Sequence, residues 1–222
     1  MCSLRKRKDD EDMNRRVKRY KTKVVTVIFV EGDADELIIR RLLDYYRESG
    51  WCCEGDLEIV NSNGFPTEIK MTSKLKQIES RSEDVVIQFK TVCCEYDSDV
   101  FELQYQQRPD WEKIEGHLRE KFGVSDFCRI EARTSIEDWM LDDLDGLLNA
   151  LGLSQNTKPK GKYGQEKVSD LFVKKNIVYN RQKGRNSIQK YIDKLDIAKI
   201  REARKKELKD FEKLLGVDLY FK

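Results

Sequence analysis

The stretch VVTVIFVEGDADELIIRRLL, residues 24–43, decides the fold of this chain. Its apolar, β-branched first part is typical of a buried strand, which ends at Glu31 and Gly32. A helix-period pattern begins at once, with apolar residues at Leu37, Ile38 and Leu42. A strand that turns through glycine into a helix places Glu31 at the carboxyl edge of a sheet, where open α/β sheets carry their sites.

The chain up to residue 153 repeats this alternation of strand and helix. The sequence predicts strands at 24–30, 57–60, 85–96 (interrupted near Lys90) and 127–131, and helices at 33–48, 65–80, 109–121 and 135–152. Strands that alternate with helices favour a parallel sheet covered on both faces, so we predict an α/β fold. Residues 165–215 then read as helical, with breaks near Asn176 and Gly184.

Composition excludes several classes of protein. Charged residues make up 38% and apolar residues 39% of the 222 residues, and no apolar run approaches the roughly 18 residues of a membrane span. The first residues lack the apolar stretch of a signal peptide. The six cysteines show no zinc spacing, and His117 is the one histidine, which argues against a histidine-based metal site or triad. We expect a cytoplasmic protein with reduced thiols and no membrane contact.

The net charge of +2 hides an uneven distribution. Residues 1–23 carry ten Lys/Arg against four acids, residues 155–206 carry sixteen against five, and residues 24–154 carry fourteen against twenty-eight. An acidic centre between basic ends suggests cations bound in the middle and a polyanion at the flanks. We divide the chain into a flexible arm (1–22), an α/β domain (23–153) and a lysine-rich helical extension that packs on it (154–222).

Acidic residues recur where predicted strands end or helices begin. Glu31 follows the first strand, Asp97 and Asp99 form a D-x-D after the third, and Glu137 lies in the first turn of a later helix. Oxygen ligands of this kind suit Mg²⁺. The alternative for Glu31 and Glu137 is a carboxylate favoured by a helix N-terminus, and a short acidic pair is also common in solvated loops.

The order of these motifs resembles the Toprim domain of topoisomerases, bacterial primases, RecR-type recombination mediators, small ribonucleases and OLD-family nucleases. VIFVEGDADELIIRRLL resembles its glutamate motif, EIVNSNG its intervening strand and turn, and CCEYDSD its aspartate motif. SIEDWMLDDLDGLL further resembles small stand-alone bacterial and viral Toprim proteins of the RloB-like and OLD-like kind. The resemblance covers roughly residues 24–150 and implies a Toprim-like parallel sheet flanked by helices, followed here by a basic helical C-terminal extension.

The resemblance also implies residue roles and a function. Asp97 and Asp99 would hold Mg²⁺ or Mn²⁺, Glu31 would join the coordination or act as general acid/base, and Glu137 would be a further acidic site residue packed by Trp139. The implied activity is metal-dependent hydrolysis of DNA or RNA phosphodiesters, in prokaryotic or viral defence or in nucleic-acid processing. The chain has no GxxxxGK[ST] loop, so any ATPase would be a separate subunit. A homodimer through the apolar C-terminal helix is compatible with the pattern.

The C-terminal part places basic residues beside tyrosines, a combination that suits a phosphate backbone and stacked bases. The alternative is that Tyr179 and Tyr191 belong to a small helical core. The residues we expect to contact nucleic acid are Lys158, Lys160, Lys162, Arg181, Lys183 and Arg185.

Two other functions stay open at this point. One is a non-catalytic Toprim scaffold that binds nucleic acid or a partner protein, favoured by Lys90 and the paired cysteines within the third strand. The other is a small-molecule phosphotransferase or receiver-like domain, which needs a phosphate-accepting aspartate and a partner lysine that the sequence does not offer. The choice between DNA and RNA is not readable from the residues.

Overall fold

The computed structural model describes residues 21–81, 84–102, 107–180 and 185–221. Residues 1–20 of the predicted flexible arm lie outside this description, as do Arg181, Lys183 and Gly184. The last two residues of the predicted arm, Lys21 and Thr22, belong to the first strand, so that strand begins before the predicted start at Val24.

Four parallel strands form the sheet in the described residues. They are β1 (Lys21–Val30), β2 (Asp56–Asn61), β3 (Val85–Asp97) and β4 (Asp126–Ala132). Their order is β2-β1-β3-β4, so β1 and β3 lie side by side in the centre. The predicted α/β class with a parallel sheet flanked by helices is confirmed.

Helices follow the strands along the chain. They are α1 (Asp33–Glu48), α2 (Glu68–Glu79), α3 (Asp99–Glu102), α4 (Trp111–Phe122), α5 (Ile136–Leu141), α6 (Leu144–Leu151), α7 (Gly164–Val173), α8 (Arg185–Ile192) and α9 (Ile197–Leu215), with a 3₁₀ turn at Val217–Leu219. None of the helices in the described ranges is both long and apolar enough to cross a bilayer.

The sheet separates two apolar cores. Val27 and Phe29 of β1 pack with α2 and α4 on one face. Ile28 and Val30 of the same strand pack with α1 and α5–α9 on the other face. Successive side chains of a strand point to opposite faces, and a strand buried on both faces is apolar at nearly every position. This explains the unbroken apolar run of β1.

The predicted helix at 33–48 is confirmed as α1, but the predicted helix at 135–152 is wrong as a single element. It is divided into α5 and α6 at Asp142 and Asp143. The Asp143 carboxylate accepts a hydrogen bond from the Gly146 amide, 3.4 Å away, and so caps α6. An Asp side chain that accepts a backbone hydrogen bond favours the start of a new helix over the continuation of the previous one. The apolar periodicity of residues 135–152 runs through this position and does not indicate the division.

β3 runs without a break, although the sequence predicts an interruption near Lys90. The pairing with β1 shifts there, because Val25 pairs with Phe89 while Thr26 pairs with Thr91. Lys90 is therefore the extra residue of a β-bulge. A bulge accommodates one unpaired residue and preserves the strand on either side of it.

The C-terminal helix α9 returns to the start of the domain. The Trp51 indole donates to the Leu215 carbonyl over 2.7 Å, and the Tyr46 hydroxyl donates to Glu212 Oε1 over 2.8 Å. Arg201 binds both oxygens of Glu212, at 2.7 and 2.8 Å. Helices beyond residue 153 thus share one apolar core with β1, β3 and α1.

Candidate metal centre

The carboxyl ends of β1 and β3 bring Glu31 and Asp97 together. Glu31 follows the last residue of β1, and Asp97 ends β3. The Asp97 amide donates a hydrogen bond to Glu31 Oε1 over 3.2 Å, and both side chains are buried. The parallel pairing of neighbouring strands is the cause, since it places both strand ends at one edge.

The turn after β2 fixes the backbone at Glu31. The Gly64 amide donates to the Glu31 carbonyl over 2.7 Å, and the Ser62 amide donates to the Val30 carbonyl over 2.8 Å. Gly64 has φ +100°, a backbone conformation that favours glycine. Asn61 Nδ2 donates to Asp33 Oδ1 over 2.9 Å, which ties the same turn to the start of α1.

Three carboxylates at this edge could share one cation. Asp35, Glu95 and Asp97 each place an oxygen within 4.8 Å of the others' oxygens, and all three residues are fully buried at 0% exposure. Glu95 and Asp97 are two residues apart in β3 and therefore point to the same face. Asp35 reaches them from the first turn of α1. A hard divalent cation takes carboxylate ligands of this kind.

The start of α5 orients the Asp97 carboxylate. The Ile136 amide, first in the helix, donates to Asp97 Oδ1 over 2.8 Å. An amide at a helix N-terminus has no partner within the helix, and the helix dipole favours a negative charge there. The side chain is consequently held in one orientation toward the cluster.

Glu137 lies one residue further along α5 and is fully buried. The Tyr179 hydroxyl donates to Glu137 Oε1 over 2.9 Å. The Tyr179 ring packs on Phe172 with the two ring centroids 5.1 Å apart, so Tyr179 is a partly buried residue of the core that also binds Glu137. Of the two roles that the sequence left open for Tyr179, packing in a helical core is the one that the structure shows.

The predicted metal ligands were Glu31, Asp97 and Asp99, and the close group in the described residues contains only Asp97 of these. Asp99 begins α3, and its amide donates to the Thr134 carbonyl over 3.1 Å. The chain thus leaves the strand geometry immediately after Asp97, and Asp99 does not continue the face formed by Glu95 and Asp97. The missed residues had readable signals: Glu95 precedes Asp97 by two strand positions, and Asp35 follows Glu31 by four residues.

The acidic residues at this edge of the sheet affect the pKa of Cys94 in β3. Burial raises the pKa of the Cys94 thiol well above its ordinary value, and the carboxylates of Glu95 and Glu31 raise it further. A thiol in this environment stays protonated at neutral pH, and it is the thiolate that attacks or binds metal. Cys94 is therefore a core residue and not a nucleophile.

The predicted nucleic-acid residues are described only in part. Lys158, Lys160 and Lys162 are exposed in the loop before α7. That loop ends at Gly164, where an added Cβ would come 2.6 Å from Asp138 Cγ, so glycine permits close packing beside the start of α5. Arg185 is the first residue of α8, and its side chain lies outside what the structure describes, as do Arg181 and Lys183.

Comparisons with family models, with curated proteins and with solved structures found no match to this chain.

Proposed function

We propose that the protein is a metal-dependent phosphodiesterase that hydrolyses DNA or RNA and uses a Toprim-like acidic site. The observation that carries this proposal is the group formed by Asp35, Glu95 and Asp97, whose oxygens lie within 4.8 Å of one another at the carboxyl edge of a parallel sheet. The donor set consists of carboxylates alone, which fits Mg²⁺ or Mn²⁺ better than a softer metal.

The residues divide into two groups by their contacts. Asp35, Glu95 and Asp97 would hold the cation, which when bound supplies orientation of the phosphodiester, charge neutralisation and a more acidic water. Glu31 lies beside them with its carboxylate held by the Asp97 amide, and Glu137 is held by Tyr179. Carboxylates oriented in this way are candidates for accepting the proton of an attacking water.

Two further features support the Toprim resemblance. Glu31 follows β1 and Asp97 ends the neighbouring strand β3, and the turn between Asn61 and Gly64 lies against Glu31. The exposed lysines at 158, 160 and 162 precede α7, whose first residue Gly164 packs against Asp138 of α5, and exposed lysines suit a phosphate backbone. An ATPase subunit, if the activity requires one, comes from another chain.

Cleavage assays with metals test the proposal. DNA and RNA substrates, single- and double-stranded, are incubated with the protein in Mg²⁺, in Mn²⁺ and in EDTA. We expect cleavage only with metal, and we expect Asp97→Asn, Glu95→Gln and Glu31→Gln to abolish it. Glu79→Gln, an exposed acid at the end of α2, is the matched control and should cleave as the wild type does. Full cleavage by the Asp97 and Glu95 variants in a clean preparation would remove the assignment.

The full burial of the three carboxylates also favours a second candidate, the non-catalytic scaffold. Asp35, Glu95 and Asp97 show 0% exposure, which restricts the approach of a phosphodiester to a cation held among them. A cation in such a place could stabilise the sheet edge without taking part in hydrolysis. Calorimetric binding of Mn²⁺ that depends on Glu95, in a protein that cleaves no member of the substrate panel, would identify this alternative.

A further inference from the structure

A groove with a volume of about 840 Å³ runs along the outer side of β4, between α4 and α9. Its volume lies within the range of about 300–1,000 Å³ that is typical of small-ligand pockets. Ser98 lines one part of the groove, and this residue lies between Asp97 and Asp99. One end of the groove is therefore adjacent in sequence to Asp97 of the candidate metal centre, and none of Lys158, Lys160 and Lys162 lines the groove.

A rigid planar stack forms part of the wall. The Tyr96 and Trp111 rings are stacked, with centroids 5.2 Å apart and planes inclined by 24°. The exposed guanidinium of Arg129 lies over the Trp111 ring at 5.6 Å, and the Tyr96 hydroxyl is fixed by Glu131 at 3.2 Å. Indole and guanidinium planes are the groups on which unpaired bases stack.

The charges of the walls favour an anion. In the described part of the chain, Arg129, Arg133, Lys206 and Lys213 all line the groove, and no carboxylate oxygen lies within 4 Å of their charged side-chain nitrogens. Two of the five acidic residues on the walls hold ion pairs of their own: Glu115 with Arg119, and Glu131 with Arg108. Glu207 shares Arg204 with Asp142. Four cations without a paired carboxylate thus face three acids that lack a cation of their own.

We propose that this groove binds an unpaired segment of the nucleic-acid strand that enters the acidic site. One base stacks on the Arg129–Trp111 pair, and phosphates contact Arg133, Lys206 and Lys213. This inference rests on the proposed function and deepens it, since it assigns the enzyme to substrates with a single-stranded or frayed stretch. A peptide strand added beside β4 would be recognised mainly by main-chain hydrogen bonds. The groove instead offers cations without paired carboxylates and a stack of planar groups, which fit nucleotides.

The tryptophans provide a direct readout of binding. Trp51 and Trp139 are buried at 2% and 0% exposure, whereas Trp111 is partly exposed on the groove. The full chain is titrated in EDTA with a fluorescein-labelled oligothymidine of about eight nucleotides, within the usual site size of single-strand binders. We expect saturable quenching of Trp111 emission and a matching rise in anisotropy, with weaker binding of a blunt duplex.

Variants assign the binding to the groove. We expect Arg129→Gln to weaken oligonucleotide binding roughly ten-fold. We expect the double variant Lys206→Gln with Lys213→Gln to reduce the slope of log Kd against log salt concentration by about 1–2. Lys209→Gln changes an exposed lysine of α9 outside the groove and should bind as the wild type does. Trp111→Phe should lose the quenching while the anisotropy change persists.

Equal affinity in all the groove variants, with no quenching of Trp111, overturns the inference and is the result expected if a peptide strand occupies the groove. EDTA keeps binding separate from cleavage. If the groove binds the oligonucleotide but the protein cleaves nothing with Mg²⁺ or Mn²⁺, the proposed hydrolysis is wrong and the proposed binding site in the groove is retained. Metal-dependent cleavage that needs Asp97, in a protein whose groove variants bind normally, sinks only the groove.

Discussion

Asp97 is the residue at which the separate parts of the candidate site join. Its amide donates to Glu31, its carboxylate accepts from the Ile136 amide, and its oxygens lie in the close group with Asp35 and Glu95. Strand β1, strand β3, helix α1 and helix α5 therefore meet at one side chain. The sequence identified Asp97 because a D-x-D after an apolar strand is readable, whereas its contact with α5 depends on tertiary packing.

The ligand set gives a prediction at the same scale. We expect Glu95→Gln to abolish Mn²⁺ binding measured by calorimetry, because it removes one of three close carboxylates. We expect Asp99→Asn to bind Mn²⁺ with an affinity near that of the wild type, since Asp99 is outside that group. Circular dichroism of both variants checks that the fold is intact. The reverse order of affinities would restore the ligand set predicted from the sequence, with Asp99 as a ligand.

Elements were predictable where one pattern dominated. The period of α1 and the apolar run of β1 gave their identity, because each pattern follows directly from burial of one face or of both. The division between α5 and α6 and the bulge at Lys90 were not predicted as such. The division depends on Asp143, whose carboxylate is bound by the start of α9, and the bulge depends on Lys90, which is unpaired opposite β1. In both cases the effect of the residue is decided by the element that packs against it.

The junction of α6 with α9 gives a prediction about pH. Burial alone would raise the pKa of the Asp143 carboxyl, but hydrogen bonds from the Asp196 amide and Lys199 outweigh it and leave the pKa below its ordinary value. A carboxyl whose pKa is lower in the folded than in the unfolded state stabilises the fold at pH values above its unfolded pKa of about 3.9. This stabilisation is lost as the pH falls through the folded pKa.

We therefore expect Asp143→Asn to lower the free energy of unfolding by about 1–3 kcal/mol at pH 7. The gap to the wild type should shrink as the pH falls below about 4. Urea denaturation at several pH values measures it. Asp145→Asn, an exposed acid in the first turn of the same helix, is the matched control and should differ little from the wild type. A gap for Asp143→Asn that is constant with pH would contradict the argument.

At the scale of the whole molecule, a hydrogen bond to a charged side chain links α9 to α1, two helices far apart along the chain. Glu212 of α9 accepts from Tyr46 of α1 and forms a bidentate pair with Arg201. Removing one partner of a buried ion pair leaves the other charge without compensation. The Tyr46 hydrogen bond thus joins α9 to α1, and Arg201 of α9 itself balances the charge of the Glu212 acceptor.

We expect Arg201→Met to lower the free energy of unfolding by about 3–5 kcal/mol, because the Glu212 carboxylate stays buried. Lys205→Met removes an exposed ion pair with Glu202 on the same helix and should cost less than about 1 kcal/mol. Denaturant unfolding of the three proteins measures both values. A loss for Arg201→Met no larger than that for Lys205→Met would show that the Arg201–Glu212 pair does not stabilise the fold.

The return of α9 to Trp51 also bears on synthesis of the chain at the ribosome. All four strands leave the exit tunnel before α9 does, so the nascent sheet carries an apolar face whose last cover is still being translated. Until Leu215 arrives, the indole of Trp51 lacks its acceptor. Exposed apolar surface of this kind binds chaperones and drives aggregation. The nascent chain is therefore most prone to aggregate in the interval before α9 emerges.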